Sequence, residues 1–336
     1  MKFRLTTVFY LFALLAASLG AFGGVGSVVA VVVAGMWLLA DHWRPRARDF
    51  LVIGLFLLFL TLLLSPALQS ARESSRSMTC RHYLKCIALA ASQHDVTAGA
   101  LPRPYLADAA GKPFMSWRAA LLPYVEQPRL HSAIDYSKAW DDPANLLSTT
   151  TQLEVFQCPS CRMARSPAFS SFYAVVDPLT MWPPDRAMSL AEASDGTENT
   201  VLLIEGPPNQ SWAEPKDLTF GEAVELLASP VVPSENGGHV LDDGYFYKPR
   251  YFRNVAMADG SVHQIRGGMP RELALAALTA TAGDDFDGAE FLWYSKPRLD
   301  EAKVARFWVF VAVALAPALR YLRRTPVEST KGAATP

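Results

Sequence analysis

Charge disappears from this chain twice before any regular alternation begins. No charged residue occurs between Leu5 and Ala40, or between Phe50 and Ala71, and each stretch meets the requirement of about 20 apolar residues for a membrane-crossing helix. The first would form a helix of about 54 Å, far longer than a hydrocarbon core of about 30 Å. Its middle carries GAFGGVG, Gly20 to Gly26, where a tight turn finds permissive backbone. The pattern therefore predicts two short spans, roughly 5–21 and 25–41, folded as a hairpin. A third span is predicted over 50–66, and a weaker one over 304–322, with Arg306 near one end and Arg320 near the other. One tilted helix and a cleaved signal peptide are the alternatives for the first stretch, the latter in conflict with an apolar signal core of about 7–15 residues.

Beyond Pro66 the chain turns polar while keeping residues of good helix propensity, Ala67, Leu68, Ala71, Arg72, Glu73 and Arg76 among them. Cys80, Leu84, Ile87 and Ala91 then recur at spacings of four, three and four, the mark of one buried helix face. A nearly continuous helix from about 50 to 93 follows, apolar all round in its first half and one-sided in its second. Further on, SWRAALLPYVEQ reads as a short amphipathic helix offering Leu121, Leu122 and Tyr124. SFYAVV at 171–176 and VLLIE at 201–205 have the β-branched and aromatic content of buried strands. NVAMA and SVHQI are joined by Asp259-Gly260, the signal of a two-residue type I′ hairpin, and Asp195-Gly196 marks the turn before 201–205. The sum is an α+β domain over 67–266, a long helix packed on an antiparallel β-sheet. Residues 267–303 read as an acidic linker and 323–336 as a basic tail.

Charge sharpens this division. The total of −1 conceals an acidic middle, since residues 72–303 hold 21 Lys and Arg against 29 Asp and Glu while the flanks carry a net +7. An acidic domain argues against nucleic acid as a partner, because phosphate binding needs a basic face. With four spans, the clusters Lys2–Arg4, Arg44–Arg48 and Arg320–Arg324 fall on one side, as the positive-inside rule asks. The expectation is a multi-pass protein of the cytoplasmic membrane with residues 67–303 on the non-cytoplasmic side and membrane lipid as one partner.

Four cysteines lie in the acidic middle, and their spacing leaves three chemistries open. CPSC at 158–161 has the spacing of a zinc knuckle or a redox dithiol. Zinc would want a second compact pair, and Cys80 and Cys86 supply only a helical C-x5-C whose thiols diverge by about 600° of rotation and about 9 Å of rise. A disulfide framework is the third.

Several blocks carry a resemblance. GLFLLFLTLLLSPALQSARESSR with CRHYLKCIALAASQHD, then LPRPYLADAAGKPFMSWRAALLPYVEQPRL, FQCPSC, YAVVDPLTMWPPDR, DGTENTVLLIEGPPNQSWAEPKDLTF and NVAMADGSVHQI resemble, over about 50–266, the planctomycete pilin-like family catalogued as domain of unknown function 1559. The resemblance implies a type IV pilin-like build, a long helix on an antiparallel sheet, and no assigned activity. It also implies a cysteine at Cys80 and another at Cys158, with Cys86 and Cys161 as additions, hence bridges Cys80–Cys158 and Cys86–Cys161. The family's processing site is missing, since RARDFLVIGLF stands in its place, so a permanently membrane-held relative is expected.

No motif for nucleophilic, phosphate-binding or metalloprotease chemistry occurs in the acidic middle. His94-Asp95 reads as a helix-end cap and His239, after Gly237-Gly238, as a loop residue. Asp284, Asp285 and Asp287 lack the full calcium-loop pattern. Trp117, Trp182 and Trp212 read as core packing. No catalytic residue, cofactor or metal is expected. The functional expectation is a non-enzymatic, membrane-anchored, pilin-like envelope protein for assembly or contact with protein partners, the alternative being a membrane-tethered receptor for a small solute or glycan.

Overall fold

The computed structural model describes residues 5–40, 45–161, 168–233, 237–242, 244–266, 268–283 and 298–317, without the side chains of 5, 6, 25, 38–40 and 45–69. In chain order the elements are α1 (Leu5–Phe22), α2 (Gly26–Ala40), α3 (Pro45–Ala98), β1 (Tyr105–Ala107), β2 (Pro113–Ser116), and the short helices α4 (Trp117–Ala120), α5 (Pro128–Ala133) and α6 (Leu146–Thr149). There follow β3 (Phe169–Tyr173), β4 (Val175–Val176), β5 (Val201–Ser211), β6 (Leu218–Thr219), α7 (Phe220–Ala228), β7 (His239–Leu241), β8 (Arg250–Met257), β9 (Val262–Arg266), α8 (Arg271–Leu278) and α9 (Glu301–Leu315). Two compact units result, one of Met1–Leu68, Asp242–Lys248 and Pro297–Pro336, the other of Gln69–Leu241 and Pro249–Lys296.

In the first unit the glycine cluster does break the apolar run. Gly23 adopts φ 60° at the head of a 3-10 turn, Gly23–Val25, between α1 and α2. Leu14, Ala21, Val29, Ala30 and Phe310 form a small buried cluster, with Phe22 set edge-on to Phe310 at 5.0 Å. Among the described residues, however, no helix is long and apolar enough to cross a membrane. The breaks supply the physical reason. The 18 residues of α1 span about 27 Å and the 15 of α2 and of α9 about 22 Å each, against a hydrocarbon core of about 30 Å. The expected spans over 5–21, 25–41 and 304–322 are therefore corrected to short helices, and the multi-pass membrane location built on them is not supported. The side chains of the 50–66 segment, like residues 318–336 and the Asp284–Asp287 cluster, lie outside the described ones.

The second unit is a mixed helix-and-sheet structure. α3 runs unbroken to Ala98, and Cys80, Leu84, Ile87 and Ala91 on its inner stripe are fully buried. The five-stranded sheet has the order β3-β5-β8-β7, with β9 also on β8, and every pairing in it is antiparallel. Its two faces serve two cores. Leu203 of β5, Ala256 of β8 and Phe172 of β3 join the α3 stripe and the buried Trp117, Trp182 and Trp212, while Ile204, Val255 and Met257 meet Ala223, Val224 and Leu227 of α7 and Ala274, Ala277 and Leu278 of α8. Alternation along the strands sends successive side chains to opposite faces, which is how one sheet supports helices on both sides. α8 lies inside the stretch read as a linker, and its buried face belongs to this second core.

The Asp259-Gly260 hairpin forms, but with a different turn. Only Gly260 takes a positive φ, 83°; Gly260 N donates to Met257 O at 3.0 Å and Met257 N to Ser261 O at 2.9 Å. This is a type I turn closed by a left-handed glycine, the longer hairpin solution, with Asp259 Oδ1 accepting from Ser261 N at 2.8 Å. Gly196, φ 93°, turns the chain before β5, and Asp195 accepts from the backbone of Ala282 and Gly283, both at 2.9 Å.

Candidate functional site

Strand register creates the site. β5 pairs with the end of β8, Ile204 opposite Val255 and Val201 opposite Met257, whereas β7 pairs with its beginning, His239 opposite Phe252. β9 holds the other edge of β8 from Phe252 to Ala256. β5 and β7 therefore share one edge and leave a gap at Arg253–Asn254. The Glu205 carboxylate fills it, Oε2 accepting from Asn254 N at 2.9 Å and from Asn254 Nδ2 at 2.9 Å. Arg253 donates to the Glu205 carbonyl at 2.7 Å.

His239 is delivered from the opposite side of the gap by Gly237 and Gly238, both at positive φ. A Cβ on Gly237 would lie 2.4 Å from Gly206 O, and one on Gly238 2.8 Å from Phe252 O, so the close approach of the backbone depends on glycine. The imidazole stacks on Phe252 at 5.3 Å. Its Nε2 lies 3.1 Å from Glu205 Oε1 and 3.6 Å from Cys158 Sγ. Its Nδ1 meets Glu73 Oε1 of α3 at 2.8 Å. Glu73 also accepts from Ser160 Oγ at 2.6 Å and Arg76 Nε at 2.9 Å.

Cys80, two turns along the same face of α3, receives Asn254 Nδ2 at 3.4 Å. Cys158 is fixed by its own N–H, donated to Ser171 Oγ at 3.1 Å. One ligand-type atom from each of Cys80, Cys158, Glu205 and His239 lies within 4.8 Å of the others, and the four residues are at most 1% exposed. Glu205 Oε1 touches His239 yet receives no aligned hydrogen bond.

Electrostatics divides the cluster into ions and neutral thiols. Burial pushes the Glu205 carboxyl up, but the His239 charge and surrounding donors outweigh it and hold it at about 2. Burial lowers His239, while Glu205, Cys158 and Glu73 raise it well above the ordinary histidine value. Burial pushes the Cys80 thiol up to about 12 and Cys158 well above the usual thiol range. Cys158, His239 and Glu73 follow one another like a nucleophile, its base and an orienter. A reactive cysteine, however, needs thiolate character and access, and Cys158 has neither.

All four cysteines are free, so neither expected bridge is present. Cys80 and Cys158 do come together, as thiols. Cys86 turns to His82, 3.6 Å away, while the Cys161 N–H closes a turn onto Cys158 O at 3.0 Å. His94 caps the end of α3 through Ala100 O at 2.8 Å, and Asp95 accepts from Leu190 N at 3.2 Å. Trp117, Trp182 and Trp212 are buried, each with its indole N–H bonded, to Asp217, Leu202 O and Thr151 O. Cys80 and Cys86 diverge along α3 and hide the zinc-type donor set, and Glu205 belongs to no local motif. A carboxylate ending the apolar run VLLIE was the available signal.

Residues 69–229 match the model of the family SBP_bac_10, described as a protein of unknown function (DUF1559). The match takes in Cys80, Cys158 and Glu205 and ends before His239, so the resemblance to that domain holds over less of the chain than 50–266. Comparison with curated proteins and with solved structures gives no match.

Proposed function

We propose that this is a non-enzymatic, pilin-like domain that works through protein contact, with the outer face of α3 offered to further copies of the chain. The carrying observation is the division of that helix. Its inward face carries Glu73, Cys80, Leu84, Ile87 and Ala91, while Met78, Leu89 and Val96 stand 67%, 47% and 81% exposed. Their spacings of 11 and 7 residues are close to whole helical turns, so the three lie on one line over about 27 Å, with the exposed His82 and Lys85 between the first two. A helix lying in a partner's groove is read at such regular anchors. The burial of Cys158 and His239 supports the non-catalytic half of this reading.

Sedimentation of the purified full chain over a range of concentrations tests it. Association is expected, weakened about tenfold or more by Met78→Lys with Val96→Lys while the circular dichroism spectrum stays unchanged. A chain that sediments as the same monomer with and without these substitutions overturns the proposal.

One observation favours a second reading, a receptor for a small anionic solute. A cleft of about 490 Å³ is lined by Arg72, Glu73, Arg76, Ser160, Pro233 and Val240, among others, within the size range of small-molecule sites. Calorimetric titration with inorganic phosphate and with a sugar phosphate distinguishes the two, heat of binding lost in Arg72→Ala being the result this reading requires.

A further inference from the structure

We propose that Cys80, Cys158, Glu205 and His239 form a closed, four-coordinate site for a divalent transition ion of the zinc class. Geometry comes first. Zinc bonds of about 2.3 Å to sulfur and 2.0–2.2 Å to nitrogen and oxygen set tetrahedral ligand separations of about 3.3–3.8 Å. The separations of 3.1 Å from His239 Nε2 to Glu205 Oε1 and 3.6 Å to Cys158 Sγ fall near these, and the whole set lies within 4.8 Å. Bringing the widest separation, at most 4.8 Å, to a tetrahedral edge takes side-chain shifts of about 1 Å.

The chemistry of the donors selects the ion. Two sulfurs, an imidazole and a carboxylate suit a borderline-soft cation, whereas calcium and magnesium take oxygen alone. Four protein ligands at 0–1% exposure leave no open position, as in structural rather than catalytic zinc sites. Glu205 Oε1 is a fully buried carboxylate oxygen without an aligned hydrogen bond, an arrangement that costs stability and that a cation at this point would relieve.

The surroundings match what a metal ligand requires of its neighbours. A ligating histidine almost always donates its other N–H to a carboxylate, a backbone carbonyl or water, and Glu73 stands 2.8 Å from His239 Nδ1. Asn254 Nδ2 reaches both the Cys80 sulfur, at 3.4 Å, and Glu205 Oε2, at 2.9 Å. On binding, the two thiols and the imidazolium would release protons, giving two thiolates and a carboxylate around the ion, with Arg253 the nearby compensating charge. The ligands come from α3, the 158–161 turn, β5 and β7, so one ion would fasten the helix to a turn and two strands. This inference is independent of the contact surface on the outer side of α3.

The test uses the reduced, chelator-treated full chain titrated with Co²⁺ and then Zn²⁺. One Co²⁺ per chain is expected, with the thiolate-to-cobalt charge-transfer band and the intense visible bands of a tetrahedral site, all abolished by Zn²⁺. Cys86→Ser and Cys161→Ser should retain the spectrum, and Cys80→Ser and Glu205→Gln should lose it or change its thiolate intensity. Glu73→Gln should keep the spectrum and bind about 10–100-fold more weakly. A folded, reduced chain that gives no charge-transfer band overturns the proposal. So does a band that depends on Cys86 or Cys161, or mass spectrometry that finds Cys80 joined to Cys158 under these reducing conditions.

Discussion

Among its described residues the second unit buries charge in two places, and the two are built differently. At the first, Arg118 and Asp217 pair at 2.7 Å with side chains 0% and 2% exposed. Asp217 accepts also from Ala174 N at 2.9 Å and Trp117 Nε1 at 3.0 Å. Arg118 donates further to Phe172 O and Ser116 Oγ and lies 4.6 Å over the Trp117 ring, with only its Nε unbonded. That cluster is complete in itself: one cation, one anion and nearly every donor assigned. At the second, two carboxylates share one imidazole, Arg76 pairs with Glu73 and Arg253 donates to the Glu205 carbonyl, two thiols face them, and Glu205 Oε1 and Asn254 Oδ1 receive no aligned hydrogen bond. Buried polar groups are normally satisfied. The contrast teaches that the first cluster is a fastening and the second a set of ligands arranged around a point.

The sharpest way to break the comparison is to remove Arg118. Arg118→Met leaves Asp217 buried without its partner, and a loss of about 3–5 kcal/mol is expected, read from the urea midpoint. Replacing both residues, Arg118→Met with Asp217→Leu, should recover much of it. The second cluster should respond to metal instead. Zinc at about 100 times its dissociation constant should stabilise the wild-type chain by about 2.7 kcal/mol. Thermal melting should show this gain undiminished in an Arg118 variant that still folds and absent in Cys80→Ser. Gly238→Ala is a smaller, local disturbance. With φ 95° and Phe252 O 2.8 Å from the new Cβ, a loss of about 1–3 kcal/mol is expected, with weaker metal binding because His239 shifts.

The mildest change sits beside Asp217. Thr219 and Glu222 form a capping box at the start of α7, so Thr219→Ala should cost about 1 kcal/mol without touching the metal response. Hydrogen bonds from Thr219 hold the Glu222 carboxyl below the ordinary value of 4.5. Its stabilisation is therefore present above pH 4.5 and fades as the pH falls through the lowered value, an acid-side loss that Glu222→Gln should remove.

How much of this was legible in the sequence follows from range. The α3 stripe is written in local period, so Cys80, Leu84, Ile87 and Ala91 declare themselves, and the β8–β9 hairpin declares itself through Asp259-Gly260. The turn type did not, because the loop closes on Met257 and Ser261, beyond the dipeptide. The spans over 5–21 and 25–41 failed for a related reason: apolarity was visible, but the length left on either side of the Gly23 break was what counted. The centre was the least legible. Glu73 and His239 are 166 residues apart, and what joins them is a gap between β5 and β7 that exists only once both strands have found β8. Testing cysteines against cysteines missed a site in which sulfur supplies only half the donors.

The most direct measurement is X-ray absorption at the zinc edge of the full chain loaded with one equivalent of zinc. The account predicts two sulfur scatterers at about 2.3 Å and two nitrogen or oxygen scatterers at about 2.0–2.2 Å. A shell without sulfur, or one of four sulfurs, contradicts it.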